Sequence, residues 1–113
     1  MSILDDFIDV AAAGARLDLA TAAAAAGLSP SGFCDEFARR VTSLYLSDAL
    51  TWDVADLVMN ELHTAAYARS EIGLSEAATL LFEAFDEGEY LHHDGLPDGE
   101  PRTRALLASA LNE

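Results

Sequence analysis

The stretch Gly27-Leu28-Ser29-Pro30 marks the clearest helix boundary in this chain, because it joins two segments of helical composition. Glycine favours the left-handed conformation that often ends a helix. Serine can cap the next helix through its hydroxyl, and proline suits the first helical position because the N–H that it lacks would have no helical partner there. The sequence therefore predicts that one helix ends at Gly27 and that another runs from Pro30 to about Leu46.

The segment before this turn has a helical period. Its small and apolar residues recur at alternating spacings of three and four positions, which places them on one face of a helix. These residues are Phe7, Val10, Gly14, Leu17, Thr21, Ala24 and Leu28. The continuous phase permits one helix over residues 3–26, whereas Gly14 and Asp18 permit a break into two helices, the second capped by Asp18. The sequence leaves both arrangements open.

Three further helices are predicted, each beginning at a cap residue or a proline. Thr51 and Ser75 are the caps, and Pro101 begins the last helix. The predicted bounds are Trp52 to Ile72-Gly73, Glu76 to about Asp86, and Pro101 to Leu111. The buried faces predicted from Pro30 onward are Phe33, Phe37, Val41 and Leu44; Trp52, Ala55, Val58, Met59, Leu62 and Ala66; Ala77, Leu80, Leu81 and Phe85; and Leu106, Leu107, Ala110 and Leu111.

The overall pattern predicts a helical bundle. The β-branched and aromatic runs typical of strands are missing, and most connections are short enough to join antiparallel neighbours. Residues from Glu87 to Glu100 are rich in Gly, Pro, Asp and His and show no helical stripe, which predicts a long loop. We therefore expect an all-α, single-domain bundle of four to five helices over residues 1–113, with a long acidic loop before the last helix.

The composition indicates an acidic folded protein. The chain has 113 residues and a formal net charge of −14, and its 51% of hydrophobic residues is too high for a disordered acidic tail. Cys34 is the single cysteine, which favours a reducing compartment. The sequence shows neither a basic leader nor an apolar stretch of about 18 residues. We expect a cytoplasmic protein without membrane association, and the alanine-rich, lysine-free composition is typical of a bacterial source.

The acidity is concentrated near the end of the chain. Seven of the twenty acidic residues lie between Glu83 and Glu100, a stretch without arginine. Aromatic and aliphatic side chains are interleaved with these carboxylates, so a basic partner would find both charge and apolar anchors there. The alternative is that the carboxylates only solvate the surface. The predicted partner-binding residues are Glu83, Asp86, Glu87, Glu89, Tyr90, Asp94, Asp98 and Glu100.

The residue pattern gives little support for metal binding or for catalysis. His92 and His93 stand among carboxylates, but their spacing matches no standard metal site, and the sequence leaves metal binding by them open. Cys34 lies near a helix start, yet Asp35 and Glu36 beside it oppose a thiolate, so we expect a core residue. No phosphate-binding loop, nucleophile elbow or zinc-binding helix motif is present. We therefore expect no catalytic residues, metal or cofactor, and no enzyme activity.

One stretch resembles a DNA-binding motif. Residues 22–33, followed by Glu36-Phe37-Ala38-Arg39-Arg40-Val41, are similar to the helix-turn-helix of arabinose-regulator-type transcription factors. That resemblance implies base contacts from the start of the second helix. Here that start carries Asp35 and Glu36, and the net charge has the wrong sign for binding phosphates. We therefore expect no nucleic-acid binding and interpret the likeness as a coincidental helix connection.

A second resemblance concerns the spacing of aromatic residues between positions 33 and 66. The stretches Glu36-Phe37-Ala38-Arg39-Arg40, Leu44-Tyr45-Leu46 and Leu50-Thr51-Trp52, in a small, acidic, all-helical chain, resemble the colicin-type immunity proteins. The resemblance implies an inhibitor whose carboxylates cover the basic active site of a nuclease toxin. It assigns no particular family residue to a position of this chain.

Charge and resemblance together predict a non-catalytic protein that binds a basic protein partner, with an immunity-type nuclease inhibitor as its most specific form. A helix-turn-helix-derived regulator, or a small helical domain of unassignable function, is the alternative. Homo-oligomer formation is left open, because an apolar helix face could pair with its own copy.

Overall fold

The computed structural model describes residues 3–67, 73–89 and 99–111. All regular structure within these ranges is helical, and they contain no strand. The six helices of the described residues are α1 (Ile3–Ala12), α2 (Leu19–Ala26), α3 (Pro30–Leu46), α4 (Trp52–Tyr67), α5 (Glu76–Glu87) and α6 (Glu100–Leu111). The predicted all-α class is confirmed, whereas the predicted number of four to five helices is too low.

The additional helix arises because residues 3–26 form two helices. The chain leaves α1 through Gly14, whose φ of 85° is a left-handed conformation that favours glycine. Asp18 then caps α2, and its Oδ1 accepts a hydrogen bond from the Thr21 N–H at 3.1 Å. Of the two arrangements that the sequence left open, the structure has the second, and the seven residues form no continuous buried face: Leu17 is buried, whereas Val10 and Leu28 are 41% and 36% exposed. The turn restarts the helical phase, and the residues that are buried instead include Ile8, Ala11, Leu19, Ala22 and Ala23.

Helix α3 has the predicted bounds and forms the centre of the bundle. The Ser29 Oγ accepts a hydrogen bond from the Gly32 N–H at 3.0 Å, and Gly27 adopts a φ of 71°. Both features follow from the local chemistry of the turn. Phe33, Phe37 and Val41 are fully buried, while Leu44 is half-buried. Helix α3 packs against α1, α2, α4 and α5, so its apolar face supplies much of the core.

Two polar ties fix the first part of the chain to the bundle. Arg40 of α3 donates from Nε to Asp5 Oδ1 at 2.7 Å and from Nη2 to Asp5 Oδ2 at 3.0 Å. The planar guanidinium matches the two carboxylate oxygens, which makes such a pair more specific than a single contact. The Leu17 N–H donates to Glu61 Oε2 of α4 at 2.6 Å. These contacts hold α1 and the α1–α2 connection against α3 and α4.

Helices α4 and α5 largely follow the predicted pattern. On α4 the predicted face is buried except for Trp52, which is half-buried. The described part of α4 ends at Tyr67, and its predicted continuation falls on residues 68–72, outside the described ranges. Ser75 caps α5 by accepting a hydrogen bond from the Ala78 N–H at 3.2 Å. Helix α5 ends at Glu87, one residue later than predicted.

Helix α6 is buried on a narrower face than predicted. Leu107 is fully buried, but Leu106 and Leu111 are 37% and 46% exposed, and Leu80 of the adjoining α5 is 40% exposed. The helix packs chiefly against one neighbour, α5, which covers only a narrow stripe of its circumference. The helix N-terminus enters the bundle instead through Thr103, whose Oγ1 accepts a hydrogen bond from Trp52 Nε1 at 2.9 Å. The prediction of Leu106 and Leu111 as inward residues is therefore wrong, as is that of Leu80.

Candidate functional site

The predicted partner-binding residues lie only partly within the described structure. Five of the eight are described, namely Glu83, Asp86, Glu87, Glu89 and Glu100. The other three, Tyr90, Asp94 and Asp98, lie outside the described residues. Four of the five described residues come from the last turns of α5 or directly follow it, and the fifth begins α6. These five residues therefore point in different directions and have three different sets of neighbours.

One pair of carboxylates faces a groove between α5 and α6. Glu83 and Glu87 are four positions apart on α5, so they lie on the same helical face. They line a cavity of about 160 Å³ together with Leu80 and the α6 residue Leu106. Both leucines are substantially exposed, at 40% and 37%. This part of the predicted site combines negative charge with exposed apolar surface.

A second group of carboxylates lies where α4 meets the end of α5. The Asn60 Nδ2 of α4 donates to Asp56 Oδ2 at 3.4 Å and to Glu89 Oε2 at 3.5 Å. One amide thus bridges a carboxylate on α4 and one just beyond the end of α5. Asp86 lies close enough to interact electrostatically with both Glu89 and Asp56. Acid groups from two parts of the chain therefore meet at this end of the bundle.

The proximity of these groups makes ionisation unfavourable. Burial raises the pKa of Asp56 to about 7, and hydrogen bonding to Glu89 and the charges of Glu89, Asp86 and Asp53 add to the effect. No hydrogen-bond donor within the described ranges reaches the buried Asp56 Oδ1. The pKa of Asp86 is also raised, first by burial and then by Glu89 and Glu87. Near neutral pH, Asp56 is therefore poised between a protonated and an ionised form.

Glu100 has a structural contact of its own. Its Oε1 accepts a hydrogen bond from the Tyr45 hydroxyl of α3 at 2.7 Å. The Arg104 guanidinium lies over the Tyr45 ring at 4.6 Å from its centroid and is 3.1 Å from Asp48 Oδ1. Burial, followed by the hydrogen bond to Glu100, raises the pKa of the Tyr45 hydroxyl. Glu100 thus joins the start of α6 to α3, and it is not among the residues that line the groove of Glu83 and Glu87.

Asp56 and Asn60, which complete the α4 side of this region, are not among the residues predicted from the sequence. Both stand on a helix whose apolar face was identified correctly. Their spacing of four residues indicates a shared helical face, and that signal was present in the sequence. Their meeting with Glu89 was not visible in it, because Asn60 and Glu89 are 29 positions apart along the chain.

Cys34 and His63 have packing roles. Cys34 is fully buried, and burial raises the pKa of its thiol to about 11, which disfavours the thiolate that a nucleophile requires. The His63 ring stacks on Phe82 with 4.3 Å between centroids. Among residues 3–67, 73–89 and 99–111, no three His, Cys, Asp or Glu side chains are placed to hold a metal ion. His92 and His93 lie outside these ranges.

The arginines of the helix-turn-helix-like stretch have acidic neighbours. Arg40 is bound by Asp5 in the two-contact geometry described above, and Arg39 Nε lies 3.9 Å from Asp35 Oδ2. Such pairing lowers the positive potential that the middle of α3 could present to a phosphate backbone. Asp35 and Glu36 precede these arginines, so the charged side chains nearest the α2–α3 turn on α3 are acidic.

Comparison with known proteins gives no relative for this chain. No family model, no curated protein and no solved structure matches it. Within the described part of the chain, no helix is both long and apolar enough to cross a membrane.

Proposed function

We propose that the chain is a single helical domain that performs no catalysis and binds a basic protein partner through the acidic side of α5. The observation that carries this proposal is the placement of Glu83 and Glu87 beside the exposed Leu80 and Leu106. Carboxylates speed the encounter with a basic surface, and apolar anchors slow dissociation. The net charge of −14 extends this attraction beyond the contact itself.

An immunity-type inhibitor of a nuclease toxin is the most specific form of this proposal. A nuclease active site is basic because it binds phosphates, and an acidic surface can take their place. The resemblance between residues 33 and 66 supports this form, and so does the concentration of charge on a compact helical scaffold. The partner would be a cytoplasmic basic protein of the same bacterial cell or one that enters it.

The test is capture of a basic protein from a lysate of the source organism, followed by binding kinetics with the purified partner. We expect the association rate to fall by about tenfold between roughly 50 mM and roughly 200 mM salt, because the Debye length shortens. The double variant Glu83→Gln with Glu87→Gln should associate with the partner more slowly than the original chain does at the same low salt concentration. Circular dichroism melting of the variant establishes that the bundle is intact.

The matched control removes the same charge elsewhere. Asp9 on α1 and Glu36 on α3 are exposed, so Asp9→Asn with Glu36→Gln gives an equal net charge. We expect this control to bind within about twofold of the original chain, since it is only the long-range attraction that changes. Equal losses in the two double variants would remove α5 from the site. The absence of any basic partner, or binding indifferent to salt, would overturn the proposal.

A further inference from the structure

The uncharged half of α6 leaves an apolar surface open along α5. From Ala105 to Leu111 the helix carries no charged residue. Leu107 is fully buried, whereas Leu106 and Leu111 are 37% and 46% exposed. A helix that is apolar around its circumference normally has protein on more than one side. Here α5 covers one side of α6, and the remaining apolar surface faces outward.

This surface forms a groove with two adjoining cavities. The larger, of about 330 Å³, is lined by Glu76, Ala77, Leu80 and Leu81 of α5, by Ala110 and Leu111 of α6, and by Arg39 of α3, whose Nε lies 3.9 Å from Asp35 Oδ2. The smaller, of about 160 Å³, continues from Leu80 and Ala110 towards Glu83, Glu87 and Leu106. Leu80 and Ala110 line both cavities, so the two form one path along the α5–α6 seam. We call this path the α5–α6 groove.

The size of the groove matches a helical ligand. Along α5 the groove extends from Glu76 to Glu87. The eleven helical steps between these residues give it a length of about 16 Å. That length accommodates roughly three turns of a partner helix. Leucine-sized cavities along a seam between two helices are the surroundings that an amphipathic helix occupies through residues spaced by three, four and seven positions. An extended strand would lack a partner here, because the described residues offer no sheet edge.

The charges along the groove indicate that the partner helix is basic. Glu76, Glu83 and Glu87 follow one another along the α5 side of the groove at intervals of seven and four residues. Glu76 and Glu83 are exposed. A helix seated on the leucines would bring its own flanking positions beside these carboxylates, where lysine or arginine is favoured and glutamate is opposed. A second copy of this chain fits less well, because two molecules of charge −14 repel each other.

We propose that the α5–α6 groove binds an amphipathic helix of the partner, with leucine-like residues on its buried face and basic residues along its edge. The inference rests on the proposed function and adds the structural class of the partner's contact. Leu80 and Leu106 are the apolar contacts, and Glu76 and Glu83 are the charged ones. The occupant is thus a basic helix about three turns long.

The first test uses a synthetic peptide as the probe. The peptide is a fluorescently labelled helix of about four turns, stabilised by alanine, with leucines on one face and lysines beside them. We expect saturable binding by fluorescence anisotropy, and binding at least about tenfold weaker after Leu80→Gln with Leu106→Gln. The control is Leu57→Gln, because Leu57 is 47% exposed on α4 and lines neither cavity. It should leave the affinity unchanged.

Two further peptides separate shape from charge. A peptide with the same composition but no leucine face should bind at least about tenfold more weakly, and so should one with glutamate in place of every lysine. Glu76→Gln with Glu83→Gln should remove most of the difference between the lysine and glutamate peptides. Equal binding of all three peptides, or equal binding by the Leu57→Gln and the double leucine variants, would overturn the groove as the site.

The partner captured in the functional test distinguishes failure of this inference from failure of the proposed function. Capture that depends on Glu83 and Glu87 but not on Leu80 and Leu106 would overturn the groove and leave the acidic function standing. Capture that depends on neither pair would overturn both. Concentration-dependent dimerisation of the chain, measured by sedimentation equilibrium and lost in the double leucine variant, would assign the groove to a second copy instead and also overturn the inference.

Discussion

Asp56 belongs to α4, and its carboxyl shares the Asn60 amide with Glu89, just beyond the end of α5. An amide that bridges two carboxylates stabilises them best when one carries a proton, because a proton between two acid groups removes their repulsion. The pKa of about 7 for Asp56 follows from burial and from three neighbouring acid groups. The pair therefore changes its charge within the range of pH found in living cells.

We expect Asp56→Asn to stabilise the fold increasingly as the pH rises. The folded-state pKa of Asp56 lies above its ordinary value of 3.8, so ionisation opposes folding. That penalty is absent below about pH 4, grows between about pH 4 and about pH 7, and is constant above. The asparagine variant should thus be more stable than the original chain by about 2 kcal/mol near pH 8, and nearly equal near pH 4. Urea unfolding at both values measures the difference.

The exposed Asp9 provides the comparison for this substitution. Asp9→Asn removes the same formal charge at an exposed position, so the change that it causes in the free energy of unfolding measures the loss of net charge alone. If Asp56→Asn changed the stability equally near pH 4 and near pH 8, ionisation of Asp56 would not oppose folding, and the raised pKa would be wrong.

The junction of α5 and α6 depends on a close approach at Gly88. A Cβ at this position would overlap Thr103 Oγ1 and would lie 3.0 Å from the Gly99 carbonyl oxygen. The φ of Gly88 is −69°, a conformation open to any residue, so the constraint is space rather than backbone strain. Thr103 Oγ1 cannot yield freely, because it accepts the hydrogen bond from Trp52 Nε1.

Gly88→Ala should therefore destabilise the fold although alanine is the better helix former. We expect a loss of about 2 kcal/mol from overpacking, in which α6 shifts and the Trp52 hydrogen bond weakens. The fluorescence of Trp52, the single tryptophan, should shift to the red as the indole gains contact with water. Thermal unfolding and emission spectra measure the two effects.

A double-mutant cycle with Thr103→Ala locates the overlap. Removal of Oγ1 should reduce the penalty of Gly88→Ala by at least about 1 kcal/mol, since the two groups are in direct contact. An undiminished penalty in the Thr103→Ala background would place the obstruction at the Gly99 carbonyl and not at the Thr103 side chain.

Local chemistry explains which elements could be predicted from the sequence. Helix α3 has the predicted bounds because Ser29 and Pro30 act within one turn of the boundary that they create. The exposed face of α6 could not be inferred in this way, since burial of Leu106 or Leu111 depends on how many helices lie beside them. The acidic stretch was identified as a unit, but the turn of α5 directs Glu83 towards α6, and Glu89 meets Asn60 of α4.

For the whole molecule, the distribution of charge matters more than its total. Arg39, Arg40 and Arg104 each lie against an aspartate, so much of the positive charge is neutralised locally. The side of α5 that carries Glu76 and Glu83 presents negative charge beside exposed leucines. Self-repulsion from the remaining charge opposes the compact state, and the same field would attract the basic partner proposed above. Stability and binding should therefore respond to salt in opposite directions.

We expect the melting temperature to rise and partner association to slow as salt increases. Between about 10 mM and about 150 mM salt the Debye length falls from about 30 Å to about 8 Å, which screens both repulsion within the chain and attraction to a partner. We expect the melting temperature to rise by roughly 5 °C, which corresponds to a gain of about 1 kcal/mol in the free energy of unfolding for a domain of this size. Differential scanning calorimetry and association kinetics in matched buffers provide the two measurements.

The Asp9→Asn with Glu36→Gln variant tests the cause of this rise, because it carries less charge to screen and should gain less from salt. A fall in the melting temperature would mean that screened ion pairs such as Arg40–Asp5 contribute more than the repulsion among the carboxylates. If stability rises while association slows, the lost capture at high salt cannot result from unfolding. The opposite salt responses would then identify electrostatic attraction, acting on an intact bundle, as the cause of partner recognition.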